Sequence, residues 1–496
     1  MFAQSHVDDH NGIPTFWADL PDTITGTLMF AVGHRDEPLR FEGITHLVEH
    51  LVFRAAEPIL LVHDGVTDED SLTFYASGTA EQVAGFLNDI AASIRNIADI
   101  TDAQVALEKS VIAAEIEDKY IHASPGLTTY RYGATGAGLI NFSSPTTFAL
   151  THMEVIDWAS RWLTADNAAI CFTGPIPDSL DVVLPRGEVK HESLTEPVIQ
   201  TPILVESEKE GIAVSFQVDA ELAPFLGDAV RFELQRRLRH DSGLIYSPHV
   251  FQTVLDGGTA QLDFILDPTE TTFAAALKAS VDSLREVAER GFSEEAVAYA
   301  RNQCEAHFGY KNSLVAAYLD RMALDHLRDR HSPTPQAILN QAASLNSADL
   351  TTAFRNGLPS LLVAFSGDEE LEEGFIERLG IPFDSYDVWY EVEGEKRRRR
   401  GRNGEVWRSR RGGDVPGTTS VLRDDHVLMQ NLGKTVRMDL AKIALVGKRE
   451  CNCLEFIDVR GRHTTIDPDD WHRGSELIEA LLTRVPAELV RPFPGH

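Results

Sequence analysis

A histidine–glutamate pattern within an apolar run restricts the fold of the first hundred residues more than any other part of their sequence. His46, Glu49 and His50 lie within residues 43–53, whose other positions are mostly apolar. On a helix, positions i, i+3 and i+4 share one face, so two imidazoles can bind one cation while the carboxylate points at the remaining coordination position. The pattern therefore predicts a helix with an apolar back and a metal-binding front.

A buried core helix with incidental histidines is the alternative for this segment. With 18 His among the 496 residues, such a pattern arises by chance in roughly one sequence in twenty. Two histidines and a glutamate on one buried face would, however, be costly without a partner. The spacing is that of inverted zinc peptidases, which makes hydrolysis the leading hypothesis.

A zinc site of this kind needs a third protein ligand from elsewhere in the chain. Residues 101–117 predict an amphipathic helix with Thr101 as its N-cap. Glu108 and Glu115 would lie two turns apart on one face of it. A solvated acidic surface is the alternative, and we keep it for Glu117 alone.

These residues resemble the insulinase and pitrilysin family, which includes mitochondrial processing peptidase and its bacterial relatives. The resemblance implies that His46, His50 and Glu115 bind Zn²⁺. It also implies that Glu49 is the general base and that Glu108 supports the ligands. The expected fold is α+β, built from two homologous units of the insulinase type.

Two features depart from the family pattern. The stretch between His50 and Glu115 is shorter than usual in the family. Residues 64–67 read Asp-Gly-Val-Thr where the family tends to have Asn-Ala-x-Thr on its substrate-binding edge strand. The resemblance therefore bears more directly on the metal than on the placement of a peptide.

A second catalytic element is predicted in the other half of the chain. Arg239 and Tyr246 stand seven residues apart and resemble the family's Arg and Gly-Leu-x-Tyr element. A guanidinium and a phenol at the scissile carbonyl would donate hydrogen bonds to the developing oxyanion. The alternatives are a solvated cation and an ordinary strand aromatic, and the preceding histidine motif favours the catalytic interpretation.

An internal repeat predicts the architecture without reference to the family. Residues 293–297 resemble residues 101–105, and this shift places Ala300 under Glu108 and His307 under Glu115. Only the first copy keeps the acids, so we expect one metal-bearing and one metal-free unit. The strands entering the two units also resemble each other, at residues 26–32 and 211–218.

The C-terminal part changes composition after a basic run. Short alternating segments predict β-strands, and residues 471–482 predict a final helix. The predicted strands are 427–429, 435–440, 443–446, 454–459 and 463–466. The expected domains are a zinc-bearing domain over 1–185, a metal-free repeat over 186–380, a basic linker over 381–415 and a pleckstrin-homology-like module over 416–496.

Charge and composition narrow the classes of partner. A net charge of −31 argues against nucleic acid in general and favours attraction of basic peptides. Residues 396–411 are the basic exception, for which a solvated linker is the main interpretation and RNA binding the weaker one. A run of eighteen apolar residues, as a membrane span requires, is missing from the sequence.

Cysteine usage and the N-terminal residues favour a cytoplasmic location. The four cysteines are too few and scattered to suggest a disulfide framework. For residues 451–453, Cys-Asn-Cys, alternation along a strand is favoured over a soft-metal site. Residues 1–10 lack the basic and apolar parts of a secretory signal.

The predicted function is a zinc-dependent endopeptidase that cleaves peptides or short unfolded segments. In the family, four units enclose the active site, whereas this chain supplies two. The resemblance implies a homodimer, or a heterodimer with a related subunit, in which Arg239 and Tyr246 complete the zinc site of the other chain. The alternative is a non-catalytic or partner-dependent subunit that binds peptides.

Overall fold

The computed structural model describes most of the chain and shows an α+β protein. The described residues are 5–20, 24–56, 61–116, 126–191, 196–207, 209–255, 258–309, 313–367, 369, 371–392, 405–413, 415–431 and 434–494. They form two six-stranded sheets with helices, followed by two smaller sheets. Among the described residues, none of the helices has the length and hydrophobicity that a membrane span requires.

The first unit is a mixed sheet with helices packed on one face. Its strands are β1 (Ser5–His10), β2 (Ile13–Ala18), β3 (Ile24–Phe30), β4 (Val62–Thr67), β5 (Leu72–Gly78) and β6 (Ala168–Phe172). Its helices are α1 (Ile44–Ala56), α2 (Ala80–Arg95), α3 (Asp102–Ile116), α4 (Leu127–Tyr132), α5 (Thr146–Ala149) and α6 (His152–Trp162). The strand order is β1-β2-β6-β3-β5-β4, so β4 is an edge strand.

The second unit repeats this plan. Its strands are β7 (Ile203–Ser207), β8 (Ile212–Asp219), β9 (His249–Val254), β10 (Thr259–Leu266), β11 (Leu362–Ser366) and β12 (Phe383–Asp384). Its helices are α7 (Ala223–Leu234), α8 (Phe273–Arg290), α9 (Glu294–Gly309), α10 (Ser313–Leu327), α11 (Pro335–Ser344), α12 (Ser347–Gly357) and α13 (Phe375–Leu379). In the order β12-β7-β11-β8-β10-β9, the five strands from β7 to β9 match β2 to β4 of the first sheet. The outer strand differs, because β1 is antiparallel to β2 whereas β12 comes last in its unit and is parallel to β7.

The predicted internal repeat is confirmed in its local chemistry as well. The hydroxyl of Thr101 accepts a hydrogen bond from the backbone of Gln104 at 3.3 Å, where α3 begins. The hydroxyl of Ser293 does the same for Ala296 at 3.2 Å, where α9 begins. Each cap satisfies one of the N–H groups that a helix start leaves unpaired.

Each sheet is covered on its second face by a segment of the other unit. Met29 on β3 and Cys171 on β6 pack against Leu319 of α10. In return, Tyr130 of α4 packs against Val205 and its neighbours on the second sheet. Successive strand residues point to opposite faces, so a sheet covered on both sides needs two apolar partners. Here the second partner comes from the other unit.

A buried ion-pair network closes the contact between α10 and the first unit. Arg328, just beyond α10, donates to the two carboxylate oxygens of Asp36 at 2.5 and 3.2 Å. Arg330 donates to Asp70 at 2.7 Å, and the Nε of Arg35 lies 2.5 Å from the same carboxylate. Asp36 lies in the turn before α1 and Asp70 in the turn between β4 and β5. The network therefore fixes two loops beside α1.

The C-terminal region contains two small sheets and one helix. Its strands are β13 (Tyr390–Glu391), β14 (Glu405–Arg408), β15 (Thr419–Leu422), β16 (His426–Asn431), β17 (Lys434–Asp439), β18 (Ile443–Lys448), β19 (Leu454–Asp458), β20 (His463–Ile466) and β21 (Val490–Pro492), and its helix is α14 (Gly474–Leu482). The sheet orders are β13-β17-β16-β15-β14 and β20-β19-β18-β21. The strands predicted between residues 427 and 466 are confirmed. The pleckstrin-homology-like assignment stays a prediction.

The C-terminal region differs from expectation at its edges. Strands β13 and β14 pair with this region although they fall in the predicted linker, 381–415. The described part of the basic run, 405–411, thus includes a strand, and residues 396–404 lie outside the described residues. The helix begins at residue 474 rather than 471, because Pro468 opens a separate 3₁₀ turn.

The strand prediction for Cys451 and Cys453 is wrong. Both lie in the turn between β18 and β19, and their sulfur atoms are bonded to each other. Asn452 between them has a positive φ of 67°, a conformation that favours a turn over a strand. The count of cysteines did not predict this bond.

Candidate metal centre

The two faces of α1 meet different surroundings. Leu47 and Leu51 are buried in the core of the first unit, whereas His46, Glu49 and His50 line a cavity of about 450 Å³. The i, i+3, i+4 spacing therefore produces the two-faced helix that the sequence predicts.

A buried carboxylate holds the N-terminus of α1. Glu37 accepts hydrogen bonds from the backbone N–H groups of Gly43 and Thr45, each at 2.8 Å. A negative charge is favourable at this end of a helix. Gly43 adopts a φ of +84°, which glycine tolerates at little cost. The start of α1 is thus fixed before its first histidine.

The structure brings His46, His50 and Glu115 together. The Nε2 atoms of the two histidines lie 3.1 Å apart. Glu115 Oε2 lies 3.7 Å from the first of them and 3.5 Å from the second. Tetrahedral zinc with bonds near 2.0 Å separates its ligand atoms by about 3.3 Å, so this donor set fits zinc. Within the described ranges, no second group of this kind occurs.

The protonation state of His46 suits metal binding. Burial, with smaller contributions from His50 and His34, lowers the pKa of His46 to about 4. The imidazole is therefore neutral near pH 7 and offers a lone pair to a metal.

Glu108 links the metal centre to a cation. Its Oε2 lies 3.1 Å from Nδ1 of His50, and its Oε1 accepts a hydrogen bond from Nε of Arg54. The Glu108 side chain is buried. A partner on Nδ1 leaves Nε2 of His50 free to face the metal position. Sequence reasoning missed Arg54, although it follows His50 by four residues on the same helix face.

Glu49 is buried beside the metal position. It accepts a hydrogen bond from the hydroxyl of Thr67 at 2.7 Å. Burial raises the pKa of its carboxyl, and the charges of Asp64 and Glu115 add to the rise, while Thr67 opposes it. Sequence reasoning missed the role of Thr67, because the contact joins an edge strand to a helix 18 residues away.

The edge strand β4 forms one wall of the cavity. A Cβ added at Gly65 would stand 2.6 Å from Oε1 of Glu49 and would also meet the ring of Phe53. Only glycine lets the strand lie this close to α1. The other edge of β4 has no partner strand in the described structure. Val62 and Val66 of this strand are exposed.

Arg239 and Tyr246 contact each other but not this cavity. Arg239 lies on a π-helical turn, Gln235–His240. Its Nη1 donates to the backbone oxygen of Tyr246 at 2.6 Å, and its guanidinium lies 4.6 Å from the centre of the Tyr246 ring. Neither residue lines the metal cavity of the same chain. Tyr246 is 70% exposed, so the pair is open to a ligand or a partner.

Comparisons with known proteins identify the fold. No protein-family model and no curated protein matches the sequence. A protease from Helicobacter pylori matches with a TM-score of 0.58 and 15% identity, over 73% of this chain and 99% of that chain. The first half of the periplasmic protease PqqL from Escherichia coli matches with a TM-score of 0.56 and 14% identity, over 76% and 97%.

A third similar structure is described as an inactive domain. The peptidase M16 inactive domain from Pseudomonas fluorescens matches with a TM-score of 0.56 and 14% identity, over 75% of this chain and 100% of that chain. Identities this low establish the fold alone. The predicted fold of two α+β units of the insulinase type is confirmed, and function has to be argued from the site.

Proposed function

We propose that this chain is a zinc-dependent endopeptidase that cleaves peptides or short unfolded segments. The observation that carries the proposal is the convergence of His46, His50 and Glu115, with Glu49 in the same cavity. If the histidines on this core helix were incidental, a carboxylate from α3 would not be expected within 3.7 Å of both imidazoles.

Each residue of the centre has a role in this proposal. His46, His50 and Glu115 would hold zinc, which supplies Lewis-acid polarisation of the scissile carbonyl and lowers the pKa of water. Glu49 takes a proton from the attacking water and passes it to the leaving amine. Glu108 holds the ring of His50 in orientation.

The peptide would lie along β4. An open strand edge offers unpaired backbone groups, and an extended peptide can pair with them as an added strand. The scissile bond would then pass the side of the cavity where Gly65 brings the strand close to Glu49. An extended conformation favours unfolded segments over folded proteins.

The active form is proposed to be a dimer. Arg239 and Tyr246 do not line the metal cavity of their own chain, so they would serve the cavity of another subunit. There the guanidinium and the phenol would donate hydrogen bonds to the oxyanion. The partner is a second copy of this chain or a related subunit.

A peptide digest tests the proposal directly. The purified chain is incubated with a mixed peptide pool, and products are identified by mass spectrometry with and without 1,10-phenanthroline. We expect cleavage that the chelator abolishes and added zinc restores. The non-chelating isomer 1,7-phenanthroline is the control and should have no effect. Cleavage that is indifferent to the chelator would overturn the metal-dependent mechanism.

One observation favours a second function, a non-catalytic peptide-binding subunit. The same fold occurs in a domain described as inactive. Such a subunit would bind peptides from the pool without cleaving them, with or without chelator. The same digest, read for binding as well as cleavage, therefore separates the two functions.

A further inference from the structure

The C-terminal region packs on the segment that leads into the metal-binding helix. Leu39 and Phe142 of the first unit share a buried cluster with Leu445, Ile457 and Phe493 of the C-terminal region. All five side chains are almost fully buried. This face of the C-terminal region is therefore occupied by its own chain.

Arg491 on β21 makes the polar part of this contact. Its Nη2 donates to Oε1 of Glu154 at 2.6 Å and lies 3.3 Å from the backbone oxygen of Arg40. Its guanidinium lies 5.4 Å from the centre of the Phe41 ring. The side chains of Arg491 and Glu154 are only 14% and 22% exposed, so solvent screens the pair weakly.

Both contact points of Arg491 are on elements next to α1, namely the turn that precedes it and helix α6. The turn Leu39–Phe41 ends three residues before α1 begins. Glu154 stands in the first turn of α6, and Trp158 of the same helix donates from Nε1 to the hydroxyl of Thr45 on α1 at 3.2 Å. The C-terminal region thus holds the entry to α1 and, through α6, its first turn.

We infer that Arg491 is a positioning residue for the metal centre and that the C-terminal region is a fixed part of the peptidase body. Two of the three metal ligands lie on α1, so the tilt of this helix sets their distance from Glu115 on α3. Arg491 ties β21 to both elements that limit this tilt. The inference rests on the proposed zinc site.

The test compares zinc affinity in full-length variants. Zinc dissociation constants are measured by competition with a chromophoric chelator for the wild type, Arg491→Ala and Arg491→Lys. Arg484→Ala is the matched control, because the Arg484 side chain is also largely buried, at 21% exposed. Its contacts stay within the C-terminal region: it donates to the backbone oxygen of Ala480 and lies near the carboxylate of Glu405. The absorption spectrum of the Co²⁺-loaded forms reports ligand geometry independently of activity.

We expect Arg491→Ala to bind zinc roughly 3- to 10-fold more weakly than wild type, less than the loss for a direct partner of a ligand. Its Co²⁺ spectrum should shift, Arg491→Lys should recover part of the affinity, and Arg484→Ala should match the wild type. If Arg491→Ala does not fold, judged by circular dichroism, Arg491→Lys against Arg484→Ala decides. If Arg491→Ala and Arg491→Lys show the same zinc affinity and the same Co²⁺ spectrum as the wild type, the inference is overturned. If the wild type itself does not bind zinc, the proposed function is overturned.

Discussion

In the proposed mechanism Glu49 accepts a proton, and its surroundings in the fold prepare its carboxyl for that role. A carboxyl in water has a pKa too low to be an effective base near neutrality. At Glu49, burial raises the pKa and the nearby acids raise it further. The hydroxyl of Thr67 fixes one carboxylate oxygen, so the other is left for the reacting water. Helix α1 and strand β4 together supply the burial that the proposed role of Glu49 requires.

Glu49→Gln should separate metal binding from catalysis. The amide keeps the shape of the side chain but cannot accept a proton, so we expect kcat/KM to fall about 10²- to 10⁴-fold. Zinc content, measured by mass spectrometry of the metal, should stay at the wild-type level. Glu81→Gln, an exposed change on α2, is the control and should keep full activity. An undiminished rate in Glu49→Gln would discard the mechanism.

Gly65→Ala should impair the site more than the fold. The added methyl group would meet Glu49 and Phe53, and strain of this kind typically costs about 1–3 kcal/mol. Displacement of Glu49 should lower kcat/KM by at least about tenfold, since small misplacements of reacting groups are costly. Gly85→Ala is the matched control, because a Cβ there meets nothing. Equal peptidase rates in the two variants would contradict the close approach of β4.

The secondary-structure elements that the sequence predicted are those marked by apolar spacing or by a capping residue. Helices α1 and α3 follow from the spacing of their apolar residues and from the cap at Thr101. The contacts of Arg54, Thr67 and Arg491 could not be predicted, because each joins residues whose proximity depends on the packing of separate elements. The packing of α4 on the second sheet and of α10 on the first could not be predicted for the same reason. Local spacing thus predicts which residues share a helix face, but not what that face meets.

Arg328→Ala should loosen α10 from the first unit. Removal of the guanidinium leaves the buried carboxylate of Asp36 without its arginine partner, and breaking a buried ion pair typically costs about 3–5 kcal/mol. The free energy of unfolding in urea measures this loss. Arg290→Ala is the control: its partner Glu286 lies 2.7 Å away, but Arg290 is 76% exposed, and such pairs contribute about 0–1 kcal/mol. Equal losses in the two variants would contradict the role of the buried network.

The same pair predicts how stability depends on pH. Burial would raise the pKa of Asp36, but hydrogen bonds and charge from His191 and Arg328 hold it below its ordinary value of 3.8. A lowered pKa contributes stability that is present above the ordinary value and is lost as the pH falls through the folded value. The difference in unfolding free energy between wild type and Arg328→Ala should therefore shrink below pH 3.8. A difference that grows on acidification would contradict this assignment.

At the scale of the whole molecule, the described residues form one candidate metal centre and one candidate pair of oxyanion donors, and this pair does not line the metal cavity of its own chain. Mixing two inactive variants tests whether they meet between chains. Glu49→Gln keeps Arg239, and Arg239→Ala keeps Glu49, so a mixed dimer would contain one complete site. Full exchange of equal amounts should restore about a quarter of wild-type activity, as expected for a two-fold dimer. Each variant alone is the control, and a mixture no more active than its parts would exclude a site shared between subunits.

Helix α10 packs on the sheet of the first unit and α4 on the sheet of the second, so the two units should stay together even after the chain is cleaved between them. A protease cut after Lys190, whose side chain is 84% exposed, would divide the sequence between the two units. Each fragment would still carry the segment that shields the other's sheet. We expect the fragments to co-elute from a gel-filtration column and to part only in denaturant. If the proposed dimer encloses its substrate, entry would then depend on separation of the subunits, because the two halves of each chain stay packed on each other.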